Sequence, residues 1–138
     1  MSQDECIFCK MVADSIPTAK VYEDDVVLAF LDIGPLSDGH TLLIPKQHYT
    51  RIGDCPEDVL AAFCARLGKV ARAVVAAVGA EGYNILGNNG RSAGQLVEHV
   101  HFHIIPRRTG DGIFTNWPAY RYPQGRIEAL AAKIRENL

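Results

Sequence analysis

The stretch EHVHFHIIPR, from Glu98 to Arg107, places His99, His101 and His103 at alternate positions in a chain that has only five histidines. Neutral imidazole is a nucleophile, a base or a metal ligand near pH 7, and the role of one ring nitrogen fixes that of the other. Three such rings could ligate one metal, surround one reacting atom, or hold separate jobs. On a strand, alternate side chains share a face. The three histidines are therefore expected on one side, with Val100, Phe102 and Ile104 on an apolar side packed against a helix. A solvated strand face is more usually built from Lys, Glu and Thr than from a row of imidazoles. A rise of about 3.4 Å per residue puts His99 and His103 roughly 13–14 Å apart, whereas Zn–N bonds are about 2 Å. That spacing argues against one tetrahedral site made of all three, and divided roles are expected.

Other residues of chemical interest lie upstream. His40 and His48 bracket GHTLLIPKQH, and no further histidine exists. GNNGRSAGQ, from Gly87 to Gln95, combines glycines with the donors Asn88, Asn89, Arg91, Ser92 and Gln95. Exposed backbone N–H groups in such loops form anion-binding nests. The composition alone is common to polar turns, but its place directly before three histidines suggests an oxyanion or phosphate site. Cys6 and Cys9 form C-x-x-C, which alone reads as half a zinc site, a redox pair or chance. A redox pair is expected beside a βαβ pattern, and none is visible here. Cys55 and Cys64 read as inert thiols.

These residues need a scaffold. TAKVYEDDVVLAFLDIG reads as two strands joined by a turn at Glu23–Asp25 and ended by Gly34-Pro35, and HTLLIPKQH as a third strand closed by Pro45. Val59, Leu60, Phe63, Leu67, Val70, Val74 and Ala77 recur at three- and four-residue steps, predicting one long helix from Pro56 to Val78. Asp54 and Glu57 resemble a capping box, and Gly79 suits the stop. GYNILGN and HVHFHIIP read as two further strands. Ile127, Leu130, Ala131, Ile134 and Leu138 mark a C-terminal helix, and a short helix is expected after Cys9. Strands grouped before and after one long helix predict an α+β fold with an antiparallel sheet of about five strands.

Composition sets outer limits. The 138 residues suit one domain, and 48 % hydrophobic content can fill its core. A net charge of −2 provides no basic field for nucleic acid or an acidic membrane. No apolar run is long enough to span a bilayer, and MSQDECIFCK has no secretory pattern. A soluble cytoplasmic protein is expected, in which cysteines serve as thiols or metal ligands rather than disulfides.

HVHFHII fits the His-x-His-x-His pattern followed by two apolar residues, and so resembles the histidine triad superfamily of nucleotide hydrolases and transferases. AFLDIGPLSDGHTLLIPKQH and NNGRSAGQ are similar to the same family in order and spacing. The resemblance runs from about Cys6 to Arg107, with 108–138 as an extension of a single domain over 1–138. It is most specific to a bacterial branch whose N-terminus reads CIFCK.

The resemblance implies an enzyme that cleaves a nucleoside α-phosphate in a phosphoramidate, an adenylate or a dinucleoside polyphosphate. His101 would be the nucleophile, its other nitrogen held by a backbone carbonyl near His99. His103, Asn88, Gln95 and the backbone from Gly94 to Leu96 would hold the phosphate. His40 would lie beside the nucleophile, and Asp32 would bind the ribose or else cap its own turn. Phe8, Phe30, Ile33 and Leu42 would form a pocket for a purine base or simply pack the core. Cys6, Cys9, His48 and His99 would hold a structural Zn²⁺. A homodimer built through the long helix and a shared sheet edge is implied. Many relatives carry Ser or Thr where this chain has Leu96, which puts leaving-group preference and turnover at issue. The alternatives are a nucleotide-binding or regulatory protein with little turnover, and a zinc hydrolase with an open metal position. The second is weaker, because a Cys2His2 set is closed.

Overall fold

The computed structural model describes residues 3–138; Met1 and Ser2, with which the N-terminal reading begins, lie outside the described residues. The elements are α1 (Ile7–Val12), β1 (Lys20–Glu23), β2 (Val27–Leu31), β3 (Thr41–Pro45), α2 (Glu57–Val78), β4 (Gly82–Gly87), β5 (Phe102–Arg107) and α3 (Arg126–Glu136). The five strands form one antiparallel sheet in the order β1-β2-β3-β5-β4, the α+β class expected. Among the described residues, no helix is long and apolar enough to cross a membrane.

Both faces of the central strands are covered, so β2 and β3 are apolar almost throughout rather than alternating. On one face, Val27, Ala29, Leu43 and Ile104 meet Phe63, Val70, Ala71 and Val74 of α2. Phe102 stacks on Phe63 with ring centroids 5.4 Å apart. On the other face, Leu28, Phe30, Leu42 and Ile44 pack with Cys6 and Phe8 at α1. Gly87 pairs with Phe102, whose ring leaves no room for a Cβ there: one would come within 2.8 Å of it.

Four local readings are corrected. The long helix begins at Glu57 with Pro56 as its N-cap and no side-chain cap, because Asp54 is already used: its carboxylate accepts the Arg51 N–H in the preceding 3₁₀ turn. Gly79 does end the helix, with a φ of 65°. Ala71, rather than the exposed Ala77, belongs to the buried stripe. The short helix starts before Cys9, with Cys6 as its N-cap.

The fourth correction concerns the histidines. The last strand begins at Phe102, so only His103 of the three is on a strand. The β3–β5 pairing ends at Leu43↔Phe102. Two positions on, Pro45 has no N–H to continue it, and its carbonyl accepts from the His99 ring instead. The Val100 N–H is taken by the Tyr49 carbonyl at 2.7 Å. The chain therefore bends at His99, and the flat strand face expected there is absent.

Candidate active site

The bend separates the histidines into two clusters. His99 joins Cys6, Cys9 and His48, and His103 joins Asp32 and His40; within each, the ligand-type atoms lie within 4.8 Å of one another. In the first cluster, Cys6 Sγ is 3.5 Å and Cys9 Sγ 3.6 Å from His99 Nδ1, Cys9 Sγ is 3.3 Å from His48 Nδ1, and the two Nδ1 atoms are 3.2 Å apart. A tetrahedron with Zn–S of about 2.3 Å and Zn–N of about 2.05 Å has S···N edges near 3.5 Å and N···N edges near 3.3 Å. The four ligand atoms are therefore spaced to fit a tetrahedral ion. Tautomers agree. The His99 Nε2–H donates to the Pro45 carbonyl at 2.8 Å, which leaves Nδ1 as a lone pair facing the cysteines. Burial, and then Cys6, push the Cys9 thiol up to about 11; a divalent cation between the sulfurs opposes that shift. These four residues can hold a metal ion, as the family resemblance implied.

The other imidazoles form a chain whose proton positions follow from their fixed partners. The Leu36 N–H donates to His40 Nδ1 at 3.0 Å, so the hydrogen of neutral His40 is on Nε2. That Nε2–H donates to His103 Nδ1 at 2.9 Å, which places the His103 hydrogen on its own Nε2. His101 is oriented the opposite way. Its Nδ1–H donates to the His99 carbonyl at 2.7 Å, and its Nε2 carries a lone pair. The two rings are neighbours, with centroids 5.1 Å apart, and Phe8 packs edge-on against His101 at 5.2 Å. The pair thus presents an unprotonated ring nitrogen beside a ring N–H.

Burial keeps these rings neutral. It lowers His101, against the His99 carbonyl and Asp32, and it lowers His40, against Asp32. Burial, and then His101 and His40, bring His103 down to about 4. Free histidine takes up its proton near pH 6.5. The unfolded chain therefore binds a proton at His103 between about pH 6.5 and 4 that the folded chain does not. This contribution is complete above pH 6.5 and is lost as pH falls towards 4. Urea midpoints are expected to fall across that window, with a shallower slope in His103→Gln; equal slopes would contradict the assignment.

His101 and His103 line a cavity of about 510 Å³, together with Phe8, Phe30, Leu42, Asp32, Ile33, Asn88, Gly94 and Leu96. Phe8, Phe30 and Leu42 are buried, so they serve the core and the cavity wall at once, whereas Ile33 is fully exposed at the rim. Asp32 does cap its turn, one oxygen accepting the Gly34 N–H at 2.8 Å, while the other lies 3.7 Å from His40 Nε2. His40 is behind His103 rather than on the cavity wall. Gln95 is also off the wall. Its Oε1 accepts the Gly90 N–H at 2.7 Å and its Nε2 donates to the Thr50 carbonyl at 2.6 Å. Its side chain shapes the loop. Leu96 is 87 % exposed and offers no side-chain donor.

Sequence reading missed several contributors. Ile7, Met11 and Val97 also line the cavity, and the helical spacing around Cys6 and Cys9 was the available signal for the first two. The Leu36 N–H and the carbonyls of Pro45 and Thr50 are backbone atoms, for which residue types give no signal.

A family model described as "HIT domain" matches residues 13–110. An uncharacterised HIT-like protein of Methanocaldococcus jannaschii is 55 % identical over 107 residues, covering 78 % of this chain and 82 % of that protein. The chain belongs to the HIT family. An adenosine 5'-monophosphoramidase of Schizosaccharomyces pombe is 42 % identical over 134 residues, 96 % of this HIT chain and 98 % of the relative. An adenylylsulfatase of Arabidopsis thaliana is 44 % identical over 114 residues; the match covers 83 % of this chain but 58 % of that longer protein. Among solved structures, a HIT family member from Bacillus subtilis superposes with a TM-score of 0.91 at 42 % identity, over 97 % of each chain. A Zn-bound histidine triad protein from Mycobacterium smegmatis does so with a TM-score of 0.76 at 35 % identity, over 99 % of this chain and 100 % of the other.

Proposed function

We propose that this HIT protein is a nucleotide hydrolase or transferase that cleaves at a nucleoside α-phosphate through a nucleotidyl-His101 intermediate. The observation that carries the reading is the pairing of a lone pair on His101 Nε2 with an N–H on His103 Nε2 at one cavity wall. His101 Nε2 forms a bond to the α-phosphorus as the bond to the leaving group breaks. Water then adds to phosphorus and the P–N bond to His101 breaks, releasing the monophosphate. A neutral imidazole needs no separate base for its attack. The His103 N–H, the Asn88 carboxamide and the Leu96 backbone N–H stabilise charge on the phosphate oxygens, while the Gly94 and Gln95 N–H groups close the loop on the Arg91 and Gly90 carbonyls. Asp32 takes the ribose hydroxyls, and a purine base enters between Phe8, Phe30, Ile33 and Leu42. The relatives named as an adenosine 5'-monophosphoramidase and an adenylylsulfatase support both the reaction class and the adenine base. A substrate panel of adenosine phosphoramidate, diadenosine polyphosphates and their guanosine counterparts tests this, with His101→Ala as the control.

Leu96 favours a second reading, a nucleotide-binding protein with little turnover, because it supplies only a backbone N–H where a leaving group departs. Tight nucleotide binding with no hydrolysis across the panel would select it.

The ion at Cys6, Cys9, His48 and His99 is structural zinc in this reading, given the closed four-ligand set and the zinc-bound relative. The chain acts as one cytoplasmic domain, with a core over 6–107 and an extension over 108–138, without nucleic-acid or membrane partners. It acts as a homodimer. The extension supports this: α3 has no buried residue, and Trp117 and Tyr120 are 90 % and 80 % exposed. Light scattering at micromolar concentration is expected to give twice the 15.1 kDa chain mass; a monomer would contradict the homodimer alone.

A further inference from the structure

The tetrahedral Cys2His2 cluster and the cavity touch through three separate links. The first is α1. It has six residues, too few to persist alone. The metal would join Cys6 and Cys9 of this segment to His48 and His99 across the chain. The same segment supplies Ile7, Phe8 and Met11 to the cavity wall. The second link is His99 itself, a metal ligand through Nδ1 whose carbonyl holds the His101 Nδ1–H at 2.7 Å. The third starts at His48. The residues directly after it hold the phosphate loop: the Thr50 carbonyl accepts from Gln95 Nε2 at 2.6 Å, and the Ile52 N–H donates to Asn89 Oδ1 at 2.8 Å. Gln95 is 4 % exposed, and its other end holds the Gly90 N–H. Its amide bridges the metal-bearing segment and the loop.

From these contacts, and resting on the nucleotide reading above, we infer that zinc binding and nucleotide binding in this chain are thermodynamically linked, with Gln95 as a positioning residue that carries the link to the phosphate loop. Zinc holds the base wall, the nucleophile's carbonyl partner and the loop in the arrangement that fits a nucleotide. Linkage then requires that the nucleotide tighten zinc binding by the same factor.

The test uses the zinc-loaded protein and a chromophoric chelator. Zinc affinity is measured by competition at pH 7 with and without saturating AMP, corrected by a protein-free control for zinc held by AMP itself. AMP affinity is measured by calorimetry with zinc present and after its removal. The expected result is a rise of at least about fivefold in zinc affinity with AMP, and the same factor in AMP affinity with zinc. Gln95→Leu should still take up one equivalent of zinc, with a factor that falls towards one. Asn89→Ala, at an exposed position, should lower the factor less. Wild-type protein that binds AMP while its zinc affinity stays unchanged would overturn the linkage. Undiminished coupling in Gln95→Leu would overturn the role of Gln95. Failure to bind AMP at all would remove the nucleotide reading and the linkage together.

Discussion

His101→Ala is expected to lower kcat by roughly 10³–10⁵-fold, about 4–7 kcal/mol of transition-state stabilisation. The variant removes the atom proposed above to bond to phosphorus, and no other ring in the cavity can replace it. His103 turns an N–H rather than a lone pair outwards, because His40 donates to its Nδ1 at 2.9 Å. His40 cannot reverse that arrangement without losing the Leu36 N–H at its own Nδ1. Activity that remains would come from binding and from the phosphate donors. AMP affinity should change by less than about tenfold, since one lost hydrogen bond is worth about 1 kcal/mol. Steady-state kinetics and calorimetry on the same preparation read the two quantities. A variant that loses binding as much as turnover would place His101 in recognition rather than chemistry.

The second large effect concerns the cysteines. Cys6→Ala is expected to lose stoichiometric zinc and to lower the melting temperature by on the order of 10 °C, about 3 kcal/mol for a domain of this size. Binding to the native state alone is what converts metal affinity into stability. The variant should nonetheless fold, because the core between α2 and the sheet, from Val27 to Ile104, contains no metal ligand. Metal analysis and circular dichroism check both points. If zinc were lost and chemistry stopped with no change in melting temperature, the structural assignment would be wrong.

Much of this was legible because it depends on residue type and spacing. The stripe from Leu60 to Val74 specifies α2 and the face it buries. The Cys6/Cys9 pair, His48 and His99 are far apart in the chain, yet all four residues meet at one point, as the family resemblance implied. What was hidden depends on backbone partners. Nothing in HVHFHIIP shows that the strand starts only at Phe102, since the reason lies with Pro45 on a neighbouring strand. The family resemblance grouped Gln95 with the phosphate ligands, and only the fold reveals that both ends of its amide are committed to Gly90 and Thr50. The capping box failed for a similar reason: Asp54 has the right type, but its oxygen is engaged one turn earlier.

The separate roles of the three histidines rest most directly on one covalent bond. Rapid quenching of the wild-type protein with adenosine phosphoramidate, followed by digestion and mass spectrometry, should show an adenylyl group on the peptide carrying residues 98–107, with fragmentation placing it on His101. The adduct should be absent in His101→Ala. Substrate turnover with no adduct at any quench time, or an adduct on His99 or His103, would contradict the account.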